Sequence, residues 1–258
     1  HKAPLTISNI MFETTGKWGL AGNKNGKEIL ILKNATVNAK GTEAAIANLK
    51  TVTLERCGII APEGGKFNEE KQAVVDTKGN RAKEVKIAPI EIYELYIAGT
   101  QVTDANCNNL KDITGVTVAP GGEFKYYPAS KTLTMKGVTV LANNYYYAIW
   151  NKGIEGLKIV VSGTNRLEAK TTPLRCEAAV EIEGNGSLTI ASDGVAVFVN
   201  GTTLTISDIT LEATGKWGII GDKGMLILKN ATVNAKGTAA AIADLKTLTL
   251  KVCRIVAP

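Results

Sequence analysis

Histidine occurs once in the 258 residues, at position 1, and aromatic residues make up only 5% of the chain. Without an interior imidazole, Ser-His-Asp and Cys-His catalysis are excluded, as are most histidine metal sites. Cysteine is sparse, at 4, and proline at 7. No CxxC and no Cys/His ligand spacing is present, which argues against structural zinc. No run of about 18 apolar residues suggests a membrane span, and the first residues lack the charged-then-apolar order of a signal peptide. The chain opens directly in strand-like sequence, as a processed fragment would. Helical periodicity is missing too: no segment keeps apolar residues at helical spacing for three turns. The net charge is +6. Its lysines are scattered singly among Asn, Gly and Thr, without the concentrated stripe that nucleic acid requires, so no nucleic-acid partner is expected.

What the chain does have is itself, twice. TGKWG stands at 15–19 and again at 214–218, and KNATVNAKGT at 33–42 and 229–238. The copies run over 5–62 and 204–258, with a short insertion near Asn25 in the first. Near-identity at that separation is the mark of a duplicated structural module, whereas catalytic residues are assembled once per domain.

Inside each copy a smaller period repeats. LTISNIMF (from Leu5), LILKNATV (from Leu30) and VTLERCGI (from Val52) follow one another at the length of one solenoid coil, and LTISDITL, LILKNATV and LTLKVCRI do the same from Leu204, Leu226 and Leu248. Each alternates apolar and polar residues, bends at the next step, which is an Asn or Asp in four of the six, and resumes with a second short run. A third run, small residue then aliphatic, closes each coil, as at Ala148-Ile149 and Ala241-Ile242. Three short strands per coil predict an all-β fold, a right-handed parallel β-helix with continuous Leu/Ile/Val columns inside. Stacking sets Asn9 over Asn34 and Asp208 over Asn230, where a left-handed backbone and an amide ladder are expected. Both KNAT sites also match a glycosylation sequon. Cys57 and Cys253 hold equivalent positions, so they are not partners within one domain. Cys57 reads as a core thiol, and pairing of Cys107 with Cys176 stays open.

Residues 63–86, EGGKFNEEKQAVVDTKGNRAKEVK, break the coil pattern with charge and glycine. They predict a hairpin-like cap over an otherwise open β-helix end. The reading divides the chain into 1–88, the last coils of one module with a cap at 63–88, and 89–258, a second module with an opening segment at 89–130 and no cap of its own. The uncapped coil is expected to invite end-to-end self-association. The run YELYIAGTQVTDANCNNL…FKYYPASKTLTMKGVTV, with APEGGKF…VVDTKGN, resembles secreted β-helix repeat proteins of anaerobic gut bacteria, described as carbohydrate-binding or adhesin-like. The resemblance covers nearly all of the chain. It implies an exported, extracellular or cell-surface bacterial protein and no particular ligand; no lyase calcium site or base is matched, so no catalytic residue follows.

Sugar binding uses aromatic faces, against which the apolar side of a pyranose stacks while Asn, Asp and Lys meet its hydroxyls. The candidates are Trp18 and Trp217 in the two TGKWG runs, and Tyr145, Tyr146 and Trp150 with Asn143 and Asn144 in NNYYYAIWNKG. Tyr147 and Asn151 complete that cluster. Asp193, Asp208, Asp222, Glu181 and Glu212 show no spacing that singles out a glycosidase pair. The expectation is a non-catalytic module binding a neutral or acidic glycan or a host surface. A polysaccharide lyase or hydrolase and a structural stalk are the alternatives. No cofactor is assigned; oxygen ligands at the Asn/Asp corners leave Ca²⁺ open without a diagnostic loop.

Overall fold

The computed structural model describes residues 4–23 and 25–253; the expected match of Pro258 with Pro62 lies outside them. It separates into two compact units, His1–Ile92 and Tyr93–Pro258, where the sequence placed the boundary at 88/89.

In the first unit, β1 (Leu5–Ser8), β3 (Ile29–Lys33) and β5 (Thr51–Glu55) stack in parallel, Leu5 on Leu30 on Val52. β2 (Met11–Ala21) lies parallel on β4 (Thr36–Ala47). Alternation of side chains sends Leu30, Leu32, Val37 and Ala39 inward, each no more than 1% exposed. Then comes β6 (Cys57–Ala61), followed by a hairpin of β7 (Lys66–Asn68) and β8 (Ala73–Val75). β9 (Glu84–Pro89) runs antiparallel between β4 and β6 and places Val85 and Ile87 in the core. The cap is thus a hairpin plus a strand that joins the sheet.

The second unit starts with β10 (Ile92–Ile97), β11 (Thr100–Thr103) and β12 (Val116–Tyr127). Its first coil is β13 (Thr132–Ala142) and β14 (Ile149–Asn151), and both strands receive antiparallel neighbours, β12 on β13 and β10 on β14. Phe124 and Tyr126 are buried there. From this point every coil pairs in parallel with the next: β15 (Leu157–Ser162), β16 (Thr164–Ala169) and β17 (Leu174–Cys176), then β18 (Val180–Gly184), β19 (Ser187–Ala191) and β20 (Val195–Asn200). β21 (Thr203–Ser207) and β22 (Thr210–Asp222), β23 (Met225–Lys229) and β24 (Thr232–Ala243), and β25 (Thr247–Lys251) follow. One interior column is Leu133, Ile159, Ile182, Ile206 and Leu228, none above 6% exposed. Full burial of each such side chain contributes about 1.5–3 kcal/mol. The fold is a parallel β-helix.

The corners follow the chemistry of Asn. Asn9, Asn34, Asp208 and Asn230 all have positive φ, between 46° and 58°. Asn34 Nδ2 donates to Asn9 Oδ1 at 2.9 Å, and Asn230 Nδ2 to Asp208 Oδ1 at 2.7 Å. The ladder stops one layer later, where Arg56 and Val252 occupy the same left-handed position. In the TGKWG coils the expected second corner is only a bulge, between Gly16 and Trp18 and between Gly215 and Trp217, inside continuous strands. Two asparagines are interior: Asn151 is 0% exposed and Asn165 1%. Each satisfies backbone groups of its own corner.

All four thiols are free; Cys57, Cys107 and Cys176 are buried and Cys253 is partly exposed. Burial pushes the Cys176 thiol up to about 12 and raises that of Cys107. A thiol reagent at pH 8 is therefore expected to label Cys253 first, with the other three reacting only on unfolding. The Cys176 contribution to stability is complete below the ordinary thiol value of 9.0 and is lost as pH climbs from there towards 12. Prompt labelling of Cys176 in the folded chain, read by peptide mass mapping, would contradict this.

Candidate functional site

β14 is three residues long, and alternation turns Ile149 and Asn151 inward and Trp150 outward. Register then builds an outward column, Tyr96, Trp150, Arg175 and Phe198, across β10, β14, β17 and β20. The Tyr96 ring stacks on Trp150 at 5.0 Å and 28°, and Tyr147 leans on Trp150 from 5.2 Å. The Arg175 guanidinium lies 5.4 Å from the Tyr147 ring and 5.0 Å from Phe198, and its Nε and Nη2 donate to Glu177 at 2.7 and 2.5 Å. Lys152 sits 5.9 Å from Trp150 and pairs with Glu94 at 3.0 Å. That hydrogen bond is the main reason the Lys152 ammonium lies above its usual range. Trp150 Nε1 is buried without a partner. Trp150 is partly buried, with the Tyr96 and Tyr147 rings packed against it.

The free faces belong to Tyr145 and Tyr146, which are 46% and 69% exposed. Their loop is tied down at both ends. Tyr145 N–H donates to Ala142 O at 3.0 Å, and Tyr146 O accepts from Thr171 Oγ1 at 2.9 Å and from Thr172 N–H at 3.0 Å. Gly99, with φ 76°, lies directly under Tyr145; a Cβ there would fall 2.2 Å from Tyr145 Cδ1. Asn143 and Asn144 are exposed in the same loop, but Asn151, which the sequence grouped with them, is fully buried.

Asn143 also lines a shallow groove of about 480 Å³ along the corner between neighbouring coils, together with Glu168, Lys170, Ser192, Asp193 and Thr214. Ser192 Oγ donates to Thr171 O at 2.8 Å and accepts from Gly194 N–H at 2.9 Å, which fixes the groove floor to the corner that holds Tyr146. Glu168 is ion-paired with Arg166. Asn143, Lys170, Asp193 and Thr214 are open to solvent. The trough offers mixed donors and acceptors, and the loop that carries the exposed tyrosines contributes Asn143 to it, a combination that suits a hydroxyl-rich ligand.

The remaining candidates lie elsewhere. Trp18, in the first unit, packs on Ala44, Ala47 and Ala73, with Lys17 6.0 Å from its ring. Trp217 is half-buried in its bulge, in register with Val195 and Ala240. Sequence reasoning missed Tyr96, Arg175 and the groove residues Glu168, Lys170, Ser192 and Thr214. A coil-to-coil alignment of the 139–214 region would have put Trp150, Arg175 and Phe198 in one column. Among the described residues no group of three or more His, Cys, Asp or Glu side chains could hold a metal ion, and no helix is long and apolar enough to cross a membrane.

The fold is a parallel β-helix with a shallow polar groove along one corner and an exposed pair of tyrosines in the loop that supplies Asn143 to it. Compared with known proteins, the chain matches no family model, no curated protein and no solved structure.

Proposed function

We propose that this chain is a non-catalytic, exported module of a bacterial surface protein that binds glycan on its side face. The observation that carries this reading is the exposed Tyr146 ring on an anchored loop whose Asn143 lines the groove with Lys170 and Asp193. Stacking the apolar face of a sugar on such a ring removes apolar surface from water at about 25 cal/mol per Å², and hydroxyls fill the polar trough. The resemblance to secreted β-helix repeat proteins supports the extracellular setting.

The test is an array of neutral and acidic glycans probed with the whole chain. Selective binding is expected, weakened about tenfold by Tyr146→Ala. Asp193→Ala should weaken it as well, since that carboxylate faces the trough. An empty array, or binding untouched by both substitutions, would sink the proposal.

A further inference from the structure

TGKWG forms the same bulge in both units, so each copy shows what the other has changed. In the first unit Lys17 Nζ meets Glu43 Oε1 at 3.0 Å, with Glu43 on β4, the strand parallel to β2. In the second unit the equivalent lysine is Lys216, and the stretch GTEAAIA at 41–47 becomes GTAAAIA at 237–243. Ala239 therefore stands where the carboxylate would be. Lys216 is exposed, and among the described residues it has no acidic partner.

The lysine so released lies beside the groove. Ser192 N–H donates to Thr214 O at 3.0 Å and Trp217 N–H to Gly194 O at 3.1 Å, so the layer holding Lys216 rests on the corner holding Asp193. Within the groove Glu168 is neutralised by Arg166, whereas Lys170 and Asp193 are exposed and, among the described residues, unpaired. On the adjoining strands Glu212 and Lys236 carry opposite charges. Lys170 and Lys216 thus face a single open carboxylate, and the site keeps an excess of positive charge. An unpaired ammonium meets an incoming anion without first giving up a carboxylate, and such charge-assisted hydrogen bonds are about twice as strong as neutral ones.

We infer that this groove selects anionic glycans, with Lys170 and Lys216 holding the acid groups, carboxylate or sulfate, while Asp193 and Asn143 meet hydroxyls. The inference rests on the glycan reading above and narrows its ligand. The first unit's TGKWG bulge, where Glu43 occupies the lysine, offers no such cation.

The experiment titrates the whole chain with two matched pairs: an oligogalacturonide and its carboxyl-reduced form, and a sulfated galactan oligosaccharide and its desulfated form. At least one acidic member should bind about tenfold or more tightly than its neutral match. That preference should shrink as salt rises from about 0.1 M to about 1 M, which shortens the screening length from about 10 Å to about 3 Å. Which pair discriminates identifies the acid group. Lys216→Gln should remove about three- to tenfold of the acidic affinity and leave the neutral affinity unchanged. Ala239→Glu should do the same without touching the lysine, because it rebuilds the ion pair of the first unit in a setting where glutamate already fits. Equal affinities within both pairs would overturn the inference and leave glycan binding standing, as would a preference for acid that survives both Lys216→Gln and Ala239→Glu. Binding of none of the four sugars, with an empty array, would remove the glycan reading and this inference with it.

Discussion

Replacing Ile87 by aspartate is expected to abolish cooperative folding of the first unit. Ile87 is 0% exposed and lies opposite both Val37 and Ile59, at the centre of the strand that joins β4 to β6. The change forfeits about 1.5–3 kcal/mol of apolar burial. A carboxylate in the same space adds a further cost of several kcal/mol unless the strand withdraws into water. The sum reaches the whole stability of a unit this size, about 5–10 kcal/mol. Amide exchange in β3 and β4 should become fast, whereas Glu84→Ala, which removes only an exposed ion pair, should change stability by about 1 kcal/mol or less. A drop below about 1 kcal/mol for the aspartate variant would mean that β9 is an ornament on the sheet and not its closure.

Asn151→Leu is expected to lower the melting temperature of the second unit by about 10 °C, on the scale of 2–4 °C per kcal/mol for domains of this size. The shapes are similar, but the chemistry is not. Asn151 Oδ1 accepts from Ile154 N–H at 2.9 Å, and Nδ2 donates to Ile154 O at 2.9 Å and to Ala178 O at 3.3 Å. Leucine would strand these groups in a dry corner, at about 1–3 kcal/mol for each one left unmade. Asn165→Leu should behave alike, since it removes the acceptor for Val138 N–H at 2.9 Å. Asn144→Ala, in the exposed loop, serves as the control and should be silent. Calorimetry that gave Asn151→Leu the same midpoint as the parent would show that water enters the corner and replaces the amide.

The coils were legible because their cause is local. Alternation and a left-handed Asn are properties of a few neighbouring residues, and Asn9, Asn34, Asp208 and Asn230 could be placed at corners before any coordinates. The cap was legible as a break in the pattern, but its last strand was not, because Glu84–Pro89 alternates like any coil strand and only pairing shows that it runs the other way. The site divided in the same manner. Tyr145, Tyr146 and Asn143 stand together in sequence and on the surface. Lys170, Ser192 and Thr214 reach the groove from later coils, and Arg175 reaches Tyr147 by a register fixed between layers. Asn151 shows the opposite failure, since one step of alternation sends it inside while Trp150 stays out. Trp18 and Trp217 look alike in sequence and occupy like bulges, each in its own unit, where Trp18 packs on Ala44, Ala47 and Ala73 and Trp217 stands in register with Val195 and Ala240.

The corner ladder closes over 25 residues between Asn9 and Asn34 but over 22 between Asp208 and Asn230. The three additional residues are absorbed in the turn after Ala21, and the amide bond above them is unchanged. Such a fold counts layers, not residues. For heredity this is permissive: small insertions are tolerated wherever a turn faces water, and a crossover between the two KNATVNAKGT copies would delete or double the whole stretch between Asn34 and Asn230 while rejoining a coil to its equivalent. Arrays of this kind can change length in one genetic event without ever passing through a misfolded intermediate sequence.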